Sequence, residues 1–211
     1  MDSTNKETGR LEAFSDGVFG FAITLLVLDI RVPSVTEGQP LFQALLSDWP
    51  TYLAFLTGFF TILICWINHH FMFDYIFKSN SMLLLLNGFK LLVVTFTPFA
   101  TSLLAKYIPT FNQSAVVSVY AFNFMLMGGS MFGVWYYSYK NNLTKTGVDE
   151  IIKTSTRYYF LAMIMSAIIF LLSFANIWIC LTFSGLMFFT FLFPERAVLY
   201  WTEKRTVSLA K

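Results

Sequence analysis

The stretch Arg10-Leu-Glu-Ala-Phe14-Ser15-Asp16-Gly-Val-Phe19-Gly-Phe-Ala-Ile-Thr24-Leu25-Leu26 decides the fold of this chain. It places an arginine, a serine and an aspartate at the start of an otherwise apolar run. A charged group inside a membrane costs about 3 kcal/mol or more, so such a group usually has a partner and a role. The stretch therefore predicts a membrane helix whose entry carries a polar cluster.

The composition supports a membrane protein. Of the 211 residues, 56% are hydrophobic and only 12% are charged, which is about half the charged share of a typical soluble domain. This composition indicates a multi-pass integral protein of the cell membrane, with the lipid bilayer as its partner, and argues against a soluble enzyme. The formal net charge of +2 is small and the basic residues form no run, so no nucleic-acid partner is expected.

Six apolar runs are each long enough to span a membrane, because about 20 helical residues cross the hydrocarbon core. They lie at residues 13–30, 52–73, 82–104, 115–137, 158–175 and 177–193. The last two runs are divided at Asn176, because together they are too long for one crossing at about 1.5 Å per residue. Backbone groups in lipid must bond within the protein. The sequence therefore predicts an all-α, six-span transmembrane bundle, with residues 1–211 as one domain.

The lysines and arginines predict the orientation. With the N-terminus in the cytoplasm, the inner side carries eleven basic residues, and the outer side carries only Arg31 and Lys106. The inner set is Lys6, Arg10, Lys78, Lys140, Lys145, Lys153, Arg157, Arg196, Lys204, Arg205 and Lys211. An excess of positive charge on the inner side predicts an even number of spans with both termini cytoplasmic.

Several polar residues lie at similar inner depths of the first three spans. The carboxylate of Asp16 can pair with Arg10 or with Lys90 of the third span, or Lys90 can instead snorkel to the inner interface. We predict a packed polar network between spans rather than isolated polar groups. Its expected members are Arg10, Ser15, Asp16, Asn68, His69, His70, Asn87 and Lys90.

Two further sets of residues have alternative interpretations. His69 and His70 are adjacent and point about 100° apart on a helix, so they do not form the i, i+4 pair that binds a metal. We expect no metal site, and expect one histidine to face the bundle and bond Ser15 or Asp16. Near the outer surface, Asp29 can attract cations at an outer mouth or pair locally with Arg31. No motif of catalysis is found, so no enzyme activity is expected.

The first span carries a stripe of residues on one helical face. Gly17, Phe21, Thr24 or Leu25, and Leu28 recur at spacings of three and four residues. Core packing produces such a stripe. A pore also does, when several copies meet on an axis and their apolar side chains gate by dewetting.

The pattern Arg10-x-x-x-Phe14-Ser15-Asp16 is followed by Thr24-Leu25-Leu26 in the first span. Further motifs are Trp66-Ile-Asn68-His69-His70, Asn87 and Thr97-Pro98-Phe99. With these motifs the chain resembles the transmembrane protein 175 family of potassium channels. The similarity covers the first 105 residues with specific motifs, and the other spans match in number, length and basic inner loops.

The resemblance implies a homotetramer, a potassium-permeable cation channel with potassium as the permeant ion and no cofactor. In prokaryotic members the first helix of each copy lines the pore, and no TVGYG filter is present. By position, Phe21, Leu25 and Leu28 would form apolar rings and Thr24 a hydroxyl ring. The family usually has an aliphatic residue in place of Phe21, so a phenylalanine ring is expected to narrow or block the path.

The resemblance also implies that the polar group around Ser15 and Asp16 holds the first helix in register without touching the ion. Two other functions remain open from the residues. One is a proton or small-cation transporter that uses Asp16, His69 and Lys90 within each subunit. The other is a membrane subunit without transport activity. Transporters often show inverted repeats, and the absence of a visible repeat favours the channel.

Overall fold

A computed structural model describes residues 7–34, 40–107 and 113–209, with side chains up to residue 204. Its elements are α1 (Gly9–Leu25), a 3-10 helix (Leu26–Asp29), α2 (Leu41–Ser47), α3 (Trp49–Phe73), α4 (Ser81–Tyr107), α5 (Gln113–Lys140), α6 (Asp149–Ala175), α7 (Ile177–Phe191) and α8 (Pro194–Leu209). Over these ranges the only β-type pairing is an isolated bridge between Ile76 and Thr144. The all-α prediction is confirmed. Of the basic residues used to predict the orientation, Lys6 and Lys211 lie outside the described residues, as does the side chain of Arg205.

The number of spans is five or six by length and composition. Five helical segments are long and apolar enough to cross a membrane: Gly9–Asp29, α3, α4, α5 and α6. The helix α7 has 15 residues, or about 22 Å, which is shorter than the roughly 30 Å hydrocarbon core. It is followed by α8 across a bend of 72°, and the bent pair counts as a sixth candidate.

The predicted division at Asn176 coincides with a helix boundary. The helix α6 ends at Ala175 and α7 begins at Ile177. The Asn176 side chain accepts hydrogen bonds from the backbone N–H groups of Trp178 (2.9 Å) and Ile179 (3.1 Å). A side chain that satisfies these free N–H groups is a favourable helix start. Asn176 therefore separates two helices that hydropathy alone leaves fused.

Helix boundaries differ from the predicted runs at their polar ends. The fifth apolar run is predicted at residues 158–175, but α6 starts at Asp149, so the first nine residues of α6 extend the helix beyond the apolar run. The helices α2 and α8 were not predicted. Hydropathy marks where a helix is apolar, not where its backbone hydrogen bonds begin and end.

The bundle is built around contacts between neighbouring helices. The helix α1 packs against α3 and α4, while α4 packs on α5 and α5 on α6. The helix α7 lies against α3, α5 and α6, and α8 lies against α3 and α6. Within the chain, α1 therefore contacts other helices on one side only. Its other side is available for a functional site.

Backbone hydrogen bonds gather three segments at one end of the bundle. Glu7 N–H donates to the Phe77 carbonyl at 3.2 Å, and Lys145 N–H donates to the Tyr75 carbonyl at 2.9 Å. The start of α1 therefore lies beside the α3–α4 and α5–α6 connections. Two residues of the predicted inner set, Lys78 and Lys145, lie in these connections.

One glycine sets the contact between α5 and α6. A Cβ added at Gly128 would collide with the side chain of Ser166, whereas a Cβ at Gly129 would meet nothing within 4 Å. A small residue is needed where two membrane helices approach closely. Gly128 therefore fixes the distance between α5 and α6, and its neighbour Gly129 does not.

The adjacent glycines give a matched test of this contact. We expect Gly128→Ala to lower the free energy of unfolding by about 1–3 kcal/mol, because the added methyl group overpacks the α5–α6 contact. Gly129→Ala should leave stability unchanged or raise it by up to about 1 kcal/mol through helix propensity. Thermal unfolding of the purified protein in detergent measures both. Equal effects of the two substitutions would contradict the assignment.

Candidate functional site

The helix α1 has two faces with different environments. Residues spaced by three and four are buried against α3 and α4, namely Leu11, Ser15, Phe19, Ala22 and, in the 3-10 helix, Leu26. The opposite face is open: Phe21 is 63% and Leu28 70% exposed, and Gly17 and Thr24 are exposed as well. Leu25 is half-buried at the edge. Packing within one chain therefore does not account for the stripe, which is left for contact with something outside the subunit.

Ser15 anchors the buried face of α1 to α4. Its hydroxyl donates to the Leu11 carbonyl at 2.8 Å and accepts a hydrogen bond from Asn87 Nδ2 at 2.9 Å. Both Ser15 and Asn87 are fully buried. A polar pair between membrane helices stabilises by about 0.6–2 kcal/mol and has a defined geometry. This bond sets the rotation of α1, and with it the direction of the exposed stripe.

Asp16 is held by Trp66, which is not among the predicted site residues. Trp66 Nε1 donates to Asp16 Oδ1 at 2.8 Å, and the Trp66 ring stacks on His70 with centroids 5.8 Å apart. Over the described side chains, Asp16 forms no ion pair with Arg10 or Lys90. The sequence carries a signal for this contact, since an indole N–H is a donor that needs an acceptor. Trp66 also lies in the motif Trp66-Ile-Asn68-His69-His70.

Lys90 is fully buried and does not snorkel. Its ammonium lies 2.5 Å from His69 Nδ1, and it faces the rings of Phe19 and Phe73 at 5.7 and 5.6 Å from their centroids. Cation–π contacts offset part of the cost of burying the charge. His69 is thus the histidine that faces the bundle, with Lys90 rather than Ser15 or Asp16 as its neighbour, while His70 is exposed.

Asn68 lies apart from the other polar residues. Its side-chain N–H₂ group donates to the carbonyls of Ile64 and Phe191, each at 2.8 Å, and Tyr159 OH donates to the Asn68 carbonyl at 3.1 Å. These bonds connect α3 with α6 and with the end of α7. The eight predicted network residues therefore fall into separate clusters, and Arg10 is exposed near the start of α1.

The opposite end of the first segment is also attached to α4. Asp29, the last residue of the 3-10 helix, accepts a hydrogen bond from the Ser102 hydroxyl. Nearby, a Cβ added at Gly58 would lie 2.8 Å from Leu26 Cδ2 and 3.1 Å from Thr101. Asp29 does not pair with Arg31 among the described residues. In those residues there is also no group of three or more metal-ligating side chains.

Comparison with known proteins identifies the family. The family model described as "Endosomal/lysosomal potassium channel TMEM175" matches residues 10–98. A protein of Chamaesiphon minutus named as a potassium channel is 40% identical over 177 residues, which cover 82% of this chain and 87% of that protein. The chain belongs to the TMEM175 family. It is therefore an integral membrane protein of an ion-channel family.

Other TMEM175 proteins show how far the likeness extends. The crystal structure of a lysosomal potassium-selective channel TMEM175 homologue from Chamaesiphon minutus matches with a TM-score of 0.80 and 37% identity, covering 89% of this chain and 98% of that one. The human endosomal/lysosomal proton channel TMEM175 is 36% identical over 99 residues, 43% of this chain and 20% of its own length. The names of TMEM175 relatives thus include both potassium and proton channels.

The Ser15–Asn87 bond in this TMEM175 chain can be measured by a double-mutant cycle. We expect Ser15→Ala and Asn87→Leu to be non-additive, with a coupling free energy of about 1 kcal/mol, because each change removes the same hydrogen bond. Unfolding of the three variants and the unchanged protein in bicelles gives the four free energies needed. Ser102→Ala combined with Asn87→Leu is the control, since these residues share no bond, and it should be additive.

Proposed function

We propose that this chain forms a potassium-permeable cation channel as a homotetramer, with α1 of four copies around the ion path. The observation that carries the proposal is the open apolar face of α1, which is fixed in direction from its other side. The helix α1 contacts other helices of its own chain on one side only. Its exposed apolar side chains are therefore suited to meet the same side chains of identical copies around a symmetry axis. The potassium-channel names of the bacterial relatives support the same function.

The constriction would consist of side chains on the open face. Phe21, Leu25 and Leu28 would form apolar rings one turn or two apart, and Thr24 would add a ring of hydroxyl groups. The Thr24 hydroxyl donates to the Phe21 carbonyl at 2.9 Å, so its lone pairs remain to face an ion. A narrow apolar ring excludes water and thereby ions, which is gating by dewetting.

Selectivity in such a pore would be modest. Apolar rings do not replace the hydration shell of potassium as carbonyl rings do, so discrimination against sodium would depend on the cost of partial dehydration and on the Thr24 hydroxyls. The phenyl group of Phe21 is larger than an aliphatic side chain. Four copies would make this ring the narrowest part of the path.

The polar anchors would act as positioning groups. Ser15–Asn87 and Asp16–Trp66 fix α1 at its inner half, and Asp29–Ser102 fixes it at its outer end. Both termini would be cytoplasmic, because basic residues gather at the end where α1 starts. Asp29, 3-10 helical and exposed, would then lie at the outer mouth, where a ring of four carboxylates raises the local cation concentration.

A second candidate is proton conduction, as a proton or small-cation pathway within the subunit. The observation that favours it is the contact of Lys90 with His69, two basic side chains that can exchange a proton at depth in the bundle. The human and chicken relatives are named proton channels, which supports the same ion. Asp16, the third residue of this pathway, is bonded to Trp66 instead.

Substitutions on the open face test the pore. We expect Leu28→Ser to raise single-channel conductance about fivefold, equivalent to lowering the barrier by roughly 1 kcal/mol, because a hydroxyl ring admits water at the constriction. Phe21→Ser should act in the same direction. Recordings in a planar bilayer with potassium on both sides measure the change. The control is Leu92→Ser on the exposed face of α4, and the pore assignment is wrong if all three behave alike.

The subunit count has an independent test. Native mass spectrometry of the protein in detergent should give four times the chain mass. Chemical cross-linking of membranes should give a ladder that stops at the fourth band. A dimer or a monomer by both methods would exclude a four-helix pore made from single copies of α1.

Lys90→Met separates the two candidate functions. The substitution keeps an unbranched side chain, one atom shorter, and removes its proton-binding group, so a proton pathway should lose its flux while a potassium pore keeps its current. Proteoliposomes with an internal pH dye measure proton flux. Potassium efflux from the same proteoliposomes is measured in parallel, without added valinomycin. Unchanged proton flux in the Lys90→Met variant would rule out the second candidate.

A further inference from the structure

A partly open, mostly apolar cavity lies beside α3, and Leu53 in its wall is 49% exposed. It is bounded by α3, α4, α5 and α7, and no described residue of α1 lines it. Its volume is about 190 Å³. The apolar part of its wall includes Leu53, Leu104, Leu181 and Phe188. The cavity is therefore separate from the proposed ion path and opens in part to the surface of the subunit.

The size of the cavity indicates the size of its occupant. An apolar cavity of about 150 Å³ inside a protein binds benzene. At about 190 Å³, this cavity has room for a six-membered aromatic ring with one small substituent. Apolar molecules of that size concentrate in the hydrocarbon of a bilayer, so the membrane itself would supply the occupant.

Three of the lining residues, Ser184, Thr57 and Tyr120, carry hydroxyl groups. Ser184 Oγ donates to the Cys180 carbonyl at 2.9 Å, and Thr57 Oγ1 donates to the Leu53 carbonyl at 2.8 Å. Tyr120 OH lies 3.0 Å from Thr61 Oγ1. The single Thr61 proton is used on the Thr57 carbonyl at 2.7 Å, so Tyr120 is the donor to Thr61.

All three wall hydroxyls therefore spend their protons on protein acceptors. A hydroxyl oxygen has two lone pairs, so Ser184, Thr57 and Tyr120 can still accept a hydrogen bond. A ligand that donates one proton is matched to this wall, whereas a ligand that only accepts is not. We propose that the cavity is a binding site for a small aromatic alcohol of the size of phenol.

Gly185 offers a way to fill the cavity without disturbing its wall. It lines the space, and a Cβ built on it meets nothing within 4 Å. Gly185→Leu should therefore occupy the cavity. Gly88→Leu on α4 is the matched control, because its Cβ also meets nothing within 4 Å and Gly88 does not line the cavity.

The test uses the full chain in detergent, with 4-fluorophenol and fluorobenzene as probes observed by ¹⁹F NMR. We expect saturable binding of 4-fluorophenol to the unchanged protein and to Gly88→Leu, and no saturable binding to Gly185→Leu. Fluorobenzene should bind about fivefold more weakly, since one hydrogen bond contributes roughly this factor. Ser184→Ala should reduce this preference and leave the cavity open.

Three results would overturn the proposal. Binding that does not saturate in the unchanged protein would be partition into micelles. Equal affinity of Gly185→Leu and Gly88→Leu, with both eluting as the unchanged oligomer, would place the probe elsewhere. Equal affinity for the two probes would exclude the alcohol. None of these readouts uses ion flux, so the result is independent of the proposed channel function.

Discussion

The buried hydrogen bond between Ser15 and Asn87 is the constraint on which the arrangement of the first helix depends. In hydrocarbon there is no water to replace a lost partner, so the amide and hydroxyl groups meet in one geometry. That geometry places Phe19 and Leu26 toward α3 and α4 and leaves Phe21 and Leu28 on the outside. An unanchored apolar helix would have no preferred rotation, because lipid and protein side chains are equally apolar.

Much of the fold could be predicted from the sequence, because a bilayer imposes length and apolarity on every span. The first five spans were placed by these two properties, and the division at Asn176 followed from length. The 72° bend after α7 could not be predicted in this way. It depends on where Pro194 starts a new helix and on packing against α3 and α6, neither of which a hydropathy count contains.

The candidate site was predicted only in part. Residue depth along each span placed Ser15 and Asn87 at the same level, and they are in contact. Depth alone does not give rotation about the helix axis, so Asp16 was assigned charged partners and instead accepts from Trp66. The same limitation applies to Lys90, whose position between Phe19 and Phe73 requires knowing which face of α4 is turned toward α1 and α3.

The burial of Lys90 has a consequence for biogenesis. On an isolated α4 entering the bilayer, this ammonium would face lipid at a cost of about 3 kcal/mol. The groups that surround it, Phe19, His69 and Phe73, belong to α1 and α3, which are synthesised earlier. The third apolar run therefore integrates most favourably when the first two helices are still beside the insertion machinery. The three helices then enter the bilayer together.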